Sequence, residues 1–276
     1  MKGIGGNMGV FKNTVSEKIW QDRYQKNGET YDEHIKRICS HIAQNEVEFN
    51  LFYDEMSKGH FFGAGRVMSN SGIGKSLTLN NCFTANFVPD SMEGIFDRVK
   101  LSAIVHQKGG GIGHEFSHLR PKDTPTSNDA VASGVISFMT VFDAQTRTVQ
   151  AGSRRGANMS VLSVHHPDIE DYISAKSYEN DTLTQFNMSI MIDDDFLNAV
   201  KNNSDFYLHY PVYDDSGIIV KDESKWTHKR KIKAKELWDK IIESAYLTGE
   251  PGLMHLENMN KDNNTWYCEN IVNTNP

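Results

Sequence analysis

The sequence predicts an α/β fold set behind a helical N-terminal region. Two observations carry this. Apolar residues recur at helical spacing through the polar stretch 14–58, where Ile19, Tyr24, Ile35, Ile38, Ile42 and Val47 mark amphipathic helices. From about Phe61 short apolar runs are punctuated by glycine, and strand-like and helix-like segments then alternate to the end. With 276 residues, 38% hydrophobic and 24% charged, the chain is long enough to bury a sizeable core.

Met1 to Val10 is glycine-rich, lacks the apolar centre of a signal peptide and reads as a flexible tail (residues 1–12). Residues 13–60 form the helical region, and 61–276 the α/β part. Leu77 to Phe83 looks like a strand, with Asn81-Cys82 at its end. The clearest helix spans 90–108: Asp90 and Ser91 can cap it, and Met92, Ile95, Phe96, Val99, Ile104 and Val105 supply an apolar stripe. Gly109-Gly110-Gly111 ends it. A second helix covers about 130–147, and a third starts at Pro167-Asp168, with proline in the first turn and an acid near the positive helix end. Met159 to Val164 and Gln185 to Ile192 read as strands, and Phe206 to Val220 as a hairpin turning at Asp214-Asp215-Ser216-Gly217. A long helix over Ala234 to Leu247 stops before Gly249-Glu250-Pro251-Gly252, and Leu253 to Leu256 forms a short strand.

A formal net charge of -7 and a pI near 5.9 argue against wrapping nucleic acid, which needs clustered Lys and Arg. No stretch approaches the roughly 20 apolar residues of a membrane helix. The three cysteines, Cys39, Cys82 and Cys268, form no C-x-x-C pair, so neither a disulfide scaffold nor a metal site is expected, and the cytoplasm is the default compartment. Three features are decoys. Gly72-Ile73-Gly74-Lys75-Ser76 resembles a phosphate loop, but Ser69 stands where that motif needs glycine, and a strand rather than a helix follows. His114 and His118 have the spacing of one helix face, yet glycines 109–113 disfavour helix there, and His165-His166 sit before a proline, so hydrogen-bonded histidines are expected instead of metal ligands. The basic run Lys225 to Lys235 reads as a solvated lead-in to a helix.

Four segments carry chemistry when read jointly: Asn81-Cys82; Gly109-Gly110-Gly111-Ile112-Gly113 with Phe116-Ser117-His118-Leu119-Arg120-Pro121; Gly152-Ser153-Arg154-Arg155-Gly156-Ala157-Asn158-Met159; and Asn273-Thr274-Asn275-Pro276. Glycine runs let a backbone approach a ligand and present amide donors to anions. Adjacent arginines between glycines offer planar forked donors for phosphates and bases. A lone cysteine beside an amide is either a redox group or a small buried hydrophobe.

In this order and spacing, together with His-Pro-Asp-Ile at 166–169, the segments resemble the ribonucleotide reductase catalytic (large) subunit, most closely over Asn81 to Lys176. The Asn-Pro ending is similar to the adenosylcobalamin-dependent class; the rival within the family takes its radical from a separate metal-containing subunit. The resemblance implies the first half of a ten-stranded α/β barrel. It implies that Cys82 is the redox cysteine that reduces the substrate and that Asn275 is the active-site asparagine before the radical cysteine. It implies substrate contacts from Ser69, Asn81, Gly111, Arg154, Arg155 and Ala157. It further implies a deoxynucleoside triphosphate or ATP effector held by Asp90, Ser91, Met92 and Arg120. The partners it implies are a C-terminal half beginning Cys-Gly-Glu, a ribonucleotide substrate, a thioredoxin- or glutaredoxin-like reductant and a second copy of the chain at a helix-mediated interface. On this reading the chain stops just before the radical cysteine, at a position suited to a split or splicing-interrupted gene, and is inactive without its C-terminal half. Val135 and Ala151 depart from the family's usual proline and glycine, and the ATP-binding activity module is not recognisable in residues 1–60. The alternative is an effector-binding nucleotide module, or a remnant, without catalysis.

Overall fold

A computed structural model of the chain describes residues 11–74, 77–126, 129–149, 156–176, 182–210 and 222–276. Residues 1–10 of the predicted N-terminal tail and the hairpin turn at 214–217 lie outside the described residues, as does the end of the phosphate-loop look-alike, while Phe11, expected in the tail, packs on Trp20 and Tyr31. The chain divides into two compact units, residues 1–81 and 82–276.

The first unit is helical: α1 (Thr14–Arg23), α2 (Tyr31–Ile42), α3 (Glu46–Ser57) and α4 (Gly65–Asn70). The helical region thus continues beyond residue 60. Polar caps start the first three helices. Asn13 accepts from the Ser16 amide, Asn45 accepts from the Glu48 amide, and Thr30 and Glu33 form a reciprocal capping box. Ile35, Ile38, Cys39 and Met56 form the core, with Ile42 packed beside them. Ile19 and Val47, expected on the apolar stripe, are exposed (45% and 79%). Trp20 anchors α1 instead, buried against the rings of Phe11, Tyr31 and His34. Gly72, at positive φ, turns tightly over Arg37, whose guanidinium pairs with Glu29 at 2.8 Å.

The second unit is built on a sheet of five parallel strands in the order β1-β2-β3-β4-β7. These are β1 (Cys82–Phe87), β2 (Gly111–Glu115), β3 (Asn158–Ser163), β4 (Phe186–Ile192) and β7 (Gly252–His255). Parallel neighbours need long crossovers. The crossovers carry α5 (Met92–Gln107), α6 (Val135–Thr148), α7 (Ile169–Ile173), and then α8 (Asp194–Lys201), the antiparallel pair β5 (Asp205–Tyr210) and β6 (Thr227–Lys233), and α9 (Ala234–Thr248). A last short helix, α10, spans Leu256–Lys261. Every residue of β2 and β3 is buried, as befits central strands covered on both faces. The main core lies between sheet and helices and includes Phe116, Met139, Phe142, Leu162, Tyr172, Phe186 and Ile190. A smaller cluster of Met159, Val161 and Met254 occupies the opposite face.

Three expectations change. Cys82 opens strand β1 rather than ending one, because the sheet ladder begins at the pair Cys82–Gly111 and residues 77–81 form no strand. The basic run is solvated and leads into α9, as expected, but it does so as a strand: Thr227–Lys233 pairs with Asp205–Tyr210, and Lys231 and Lys233 both bridge Asp205 at 2.8 and 2.6 Å. The second helix starts at Val135, not near 130, because Gly134 adopts positive φ and the Asp168 carboxylate takes the Val135 amide at 3.1 Å. No helix among the described residues is long and apolar enough to cross a membrane.

Candidate functional site

Alternation along β2 sends Ile112 and His114 toward the helices and leaves Gly111, Gly113 and Glu115 on the other face. Cys82 stands in register with Gly111 and joins that face at the sheet edge. The segment 273–276 crosses it. The Asn273 side-chain amide donates to the carbonyls of Ala85 and Gly113, the latter at 3.3 Å. The Cys82 thiol donates to the Pro276 carbonyl at 3.4 Å. A Cβ at Gly113 would stand 1.8 Å from the Thr274 carbonyl oxygen. One at Gly111 would stand 2.8 Å from Pro276 Cγ and 3.2 Å from the Ala157 carbonyl oxygen. The glycines therefore serve close passage of another stretch of backbone. They do not build an anion nest here, since the Ile112 amide between them already donates to Ala157 at 3.0 Å.

The structure thus brings Cys82, Gly111, Ala157 and the Asn275-Pro276 segment together. Asn275 is exposed, and its amide donates to Pro276 at 3.1 Å. Ser69 and Asn81 belong to the first unit. Ser69 is buried and hydrogen-bonded to Asn70 at 2.8 Å, and Asn81 accepts from the Arg66 amide at 3.1 Å. Arg154 and Arg155 lie outside the described residues. Of the other cysteines, Cys39 is buried against Met56 and Cys268 is exposed.

The second expected cluster forms one patch at the start of α5. Ser91 is the N-cap and accepts from the Gly94 amide at 3.1 Å. Asp90 does not cap; its carboxylate grips Arg120 through Nε at 2.7 Å and through the backbone amide at 3.2 Å. Met92 projects into solvent, 61% exposed. An Arg–Asp pair at this level of exposure contributes little to stability, on the order of 1 kcal/mol or less. It does pre-orient a cationic fork beside a helix N-terminus, where anions are favoured.

Tyr210 had no sequence signal because its partner is 92 residues away, whereas the histidines at 114, 118 and 166 are hydrogen-bonded as expected. The Tyr210 hydroxyl donates to the His118 carbonyl at 2.6 Å, and burial raises its pKa, with Asp90 adding to the effect. His166 donates from Nε2 to the Leu119 carbonyl at 2.9 Å and accepts the Asp168 amide at Nδ1, bracing the loop that carries Arg120. Glu115, buried on the inner face, accepts from the Ser117 amide at 2.6 Å and pairs with His118 Nδ1 at 2.7 Å. His114 meets Ser102 at 2.7 Å, and burial, with smaller contributions from Arg98 and His106, pulls its pKa down to about 3. Among the described residues, no three of His, Cys, Asp or Glu come together as a metal-binding set.

Comparison with known proteins follows this division of the chain. The ribonucleotide reductase all-alpha domain matches residues 10–76, and the ribonucleotide reductase barrel domain matches residues 80–276. A vitamin B12-dependent ribonucleoside-diphosphate reductase of Thermoplasma acidophilum is 41% identical over 249 residues, covering 90% of this chain and 31% of that protein. A vitamin B12-dependent ribonucleotide reductase of Streptomyces avermitilis is 28% identical over 92% of this chain and 28% of its own length. The ribonucleoside-diphosphate reductase large subunit of vaccinia virus is 28% identical over 86% of this chain and 34% of its own length. The chain spans about a third of the length of these curated relatives. Five parallel strands behind a helical region, and two domain matches that together cover nearly every residue, make this chain a member of the ribonucleotide reductase family.

Proposed function

We propose that the chain is part of a ribonucleotide reductase catalytic subunit and supplies its reducing thiol, its substrate floor and its effector patch. The observation that carries this is the Cys82 thiol, in register with Gly111 and hydrogen-bonded to Pro276 on the inner face of the sheet. The substrate is a ribonucleotide lying on that face. Overall, the ribose 2′ hydroxyl leaves as water while two thiols become a disulfide, so two electrons and two protons pass to substrate and leaving group. Cys82 is one of the thiols; the other, and the cysteine that carries the radical, are supplied by further polypeptide beginning Cys-Gly-Glu. Gly111 and Ala157 shape the floor, and Asn275 offers its exposed amide to the ribose. A thioredoxin- or glutaredoxin-like dithiol then re-reduces the disulfide in the cytoplasm.

Adenosylcobalamin, when bound, supplies the radical; the relatives named vitamin B12-dependent support this cofactor. The inner face suits radical reduction in its donor set, a half-buried thiol whose hydrogen-bond partner is a backbone carbonyl. The effector is a deoxynucleoside triphosphate or ATP at Asp90, Ser91, Met92 and Arg120.

The test is ribonucleotide reduction by this chain combined with the Cys-Gly-Glu segment, with and without adenosylcobalamin. Turnover should require both additions and disappear in Cys82→Ser; turnover that persists in Cys82→Ser sinks the assignment. The Asp90–Arg120 patch alone supports a second reading, a nucleotide-binding module without chemistry. Tight deoxynucleotide binding with no turnover in any combination would favour it.

A further inference from the structure

A cavity of about 660 Å³ opens between α8 and β5, within the range of about 300–1,000 Å³ found for small-molecule sites. β5 lines it with Phe206, Tyr207 and His209, and α8 with Asp195, Asn198 and Asn202. Trp226 and Lys229 line it as well. The cavity shares no residue with the inner face at Cys82 or with the Asp90–Arg120 patch.

One wall holds an acceptor with nothing to accept. His209 is 3% exposed. Its Nδ1 lies 3.2 Å from the Tyr207 carbonyl oxygen, which can only accept, so Nδ1 carries the proton. Burial, with a smaller contribution from His165, lowers its pKa to about 4, so at neutral pH the ring is uncharged and Nε2 offers a lone pair. Among the described residues Nε2 has no partner. The ring is also held in place. It stacks on Trp226 at 3.7 Å with the planes 1° apart and leans on His165 at 4.8 Å. His165 is in turn fixed by the Asp193 carboxylate at 2.6 Å, and its carbonyl accepts the His209 amide at 2.7 Å. A buried acceptor left without a donor is costly, so a bound molecule that brings one is favoured.

The other lining groups define that molecule further. Lys229 reaches over the Trp226 ring at 5.7 Å and has no carboxylate partner among the described residues, whereas Lys231 and Lys233 are both paired with Asp205. The Tyr207 ring is 54% exposed and free to stack. Asp195, Asn198 and Asn202 are exposed along α8 and offer acceptors and amides to hydroxyl groups. A ligand that satisfies all of these has a planar ring, an N–H donor on the ring edge, hydroxyls and an anionic group. We propose that the cavity between α8 and β5 binds an amino-purine nucleoside monophosphate, with its base on Tyr207, its exocyclic amine on His209 Nε2, its ribose toward α8 and its phosphate on Lys229. This site is separate from the chemistry at Cys82 and does not depend on it.

The experiment is calorimetric titration of the full-length protein that contains this chain, with adenosine 5′-monophosphate, adenosine and inorganic phosphate. The monophosphate should bind, and adenosine and phosphate should each bind at least about tenfold more weakly. Lys229→Ala and Tyr207→Ala change exposed side chains, so folding is not at stake, and each should raise the Kd for the monophosphate about tenfold. His209→Phe keeps the stack on Trp226 and loses the acceptor, and should weaken binding by a similar factor. A Kd untouched by both exposed substitutions places the nucleotide elsewhere and overturns the proposal. Phosphate binding as tight as the monophosphate would reduce the site to an anion contact and overturn it too, as would the absence of binding at about 1 mM monophosphate. The reductase reading is tested by turnover and stands or falls apart from these outcomes.

Discussion

The two faces of β2 follow opposite rules within five residues. Toward the helices, Ile112 packs in the interior, and His114 is fully buried and packs its ring on Phe142, with Phe116 continuing the same aromatic cluster. On the other face Gly111 and Gly113 carry no side chain because Thr274 and Pro276 occupy that volume. One side is close-packed and tolerates loss of volume badly. The other is hollowed so that a second stretch of backbone can cross, and it tolerates gain of volume badly. The comparison shows that glycine within a strand can mark a crossing, with no turn or phosphate cradle involved.

The largest expected effect breaks the packed side. Phe142→Ala removes a fully buried ring that meets both His114 and Phe116, and should cost about 3–5 kcal/mol in denaturant unfolding. A loss under about 1 kcal/mol would show that the helix side is not the close-packed face. Gly113→Ala breaks the hollow side. The new methyl must displace the Thr274 carbonyl, and a shift of that size should lower kcat/KM of the assembled enzyme about a hundredfold while Tm changes far less. Equal activity in Gly113→Ala would show that the crossing at Thr274 does not shape the site.

A third test sharpens the packed side through pH. The folded protein holds His114 neutral down to about 3, whereas the unfolded chain takes up a proton near the ordinary value of 6.5. Between these values the unfolded state binds more protons, so this contribution to stability is complete above 6.5 and is lost progressively as pH falls toward 3. In His114→Phe the slope of stability against pH over that window should shrink by up to about 1.4 kcal/mol per unit. Chemical denaturation at pH 7, 5.5 and 4 would measure it, and an unchanged slope would place the acid sensitivity in other buried histidines such as His106 or His209. The smallest effect tests the start of α5. Ser91→Ala removes the N-cap acceptor and should cost about 1 kcal/mol, with the Asp90–Arg120 pair retained. A loss well above that would mean Ser91 holds more than its own helix.

Local periodicity made most elements legible. The helix ending before Gly109, the strand leading to Val164 and the helix starting at Ala234 follow from spacing and glycine punctuation that act within a few residues. The basic strand Thr227–Lys233 was not legible, because alternating lysines become a strand only when Asp205 on the neighbouring strand pairs with two of them. Asp90 and Ser91 both looked like caps; only the fold, by placing Arg120 within 2.7 Å of the Asp90 carboxylate, separates the two roles. Asp168 has the position of a cap to its own helix, yet its carboxylate serves Lys122 and Val135, 46 and 33 residues away in sequence.

By itself the sequence determined the kind and order of most elements and the motif series that marks the family, because propensity, capping and glycine punctuation are local. Only the tertiary structure decided which groups meet. The contact of Cys82 with Pro276 spans 194 residues, and that of His106 with Ala157 spans 51. Such contacts depend on strand register and on which face each residue presents, and no local pattern specifies either.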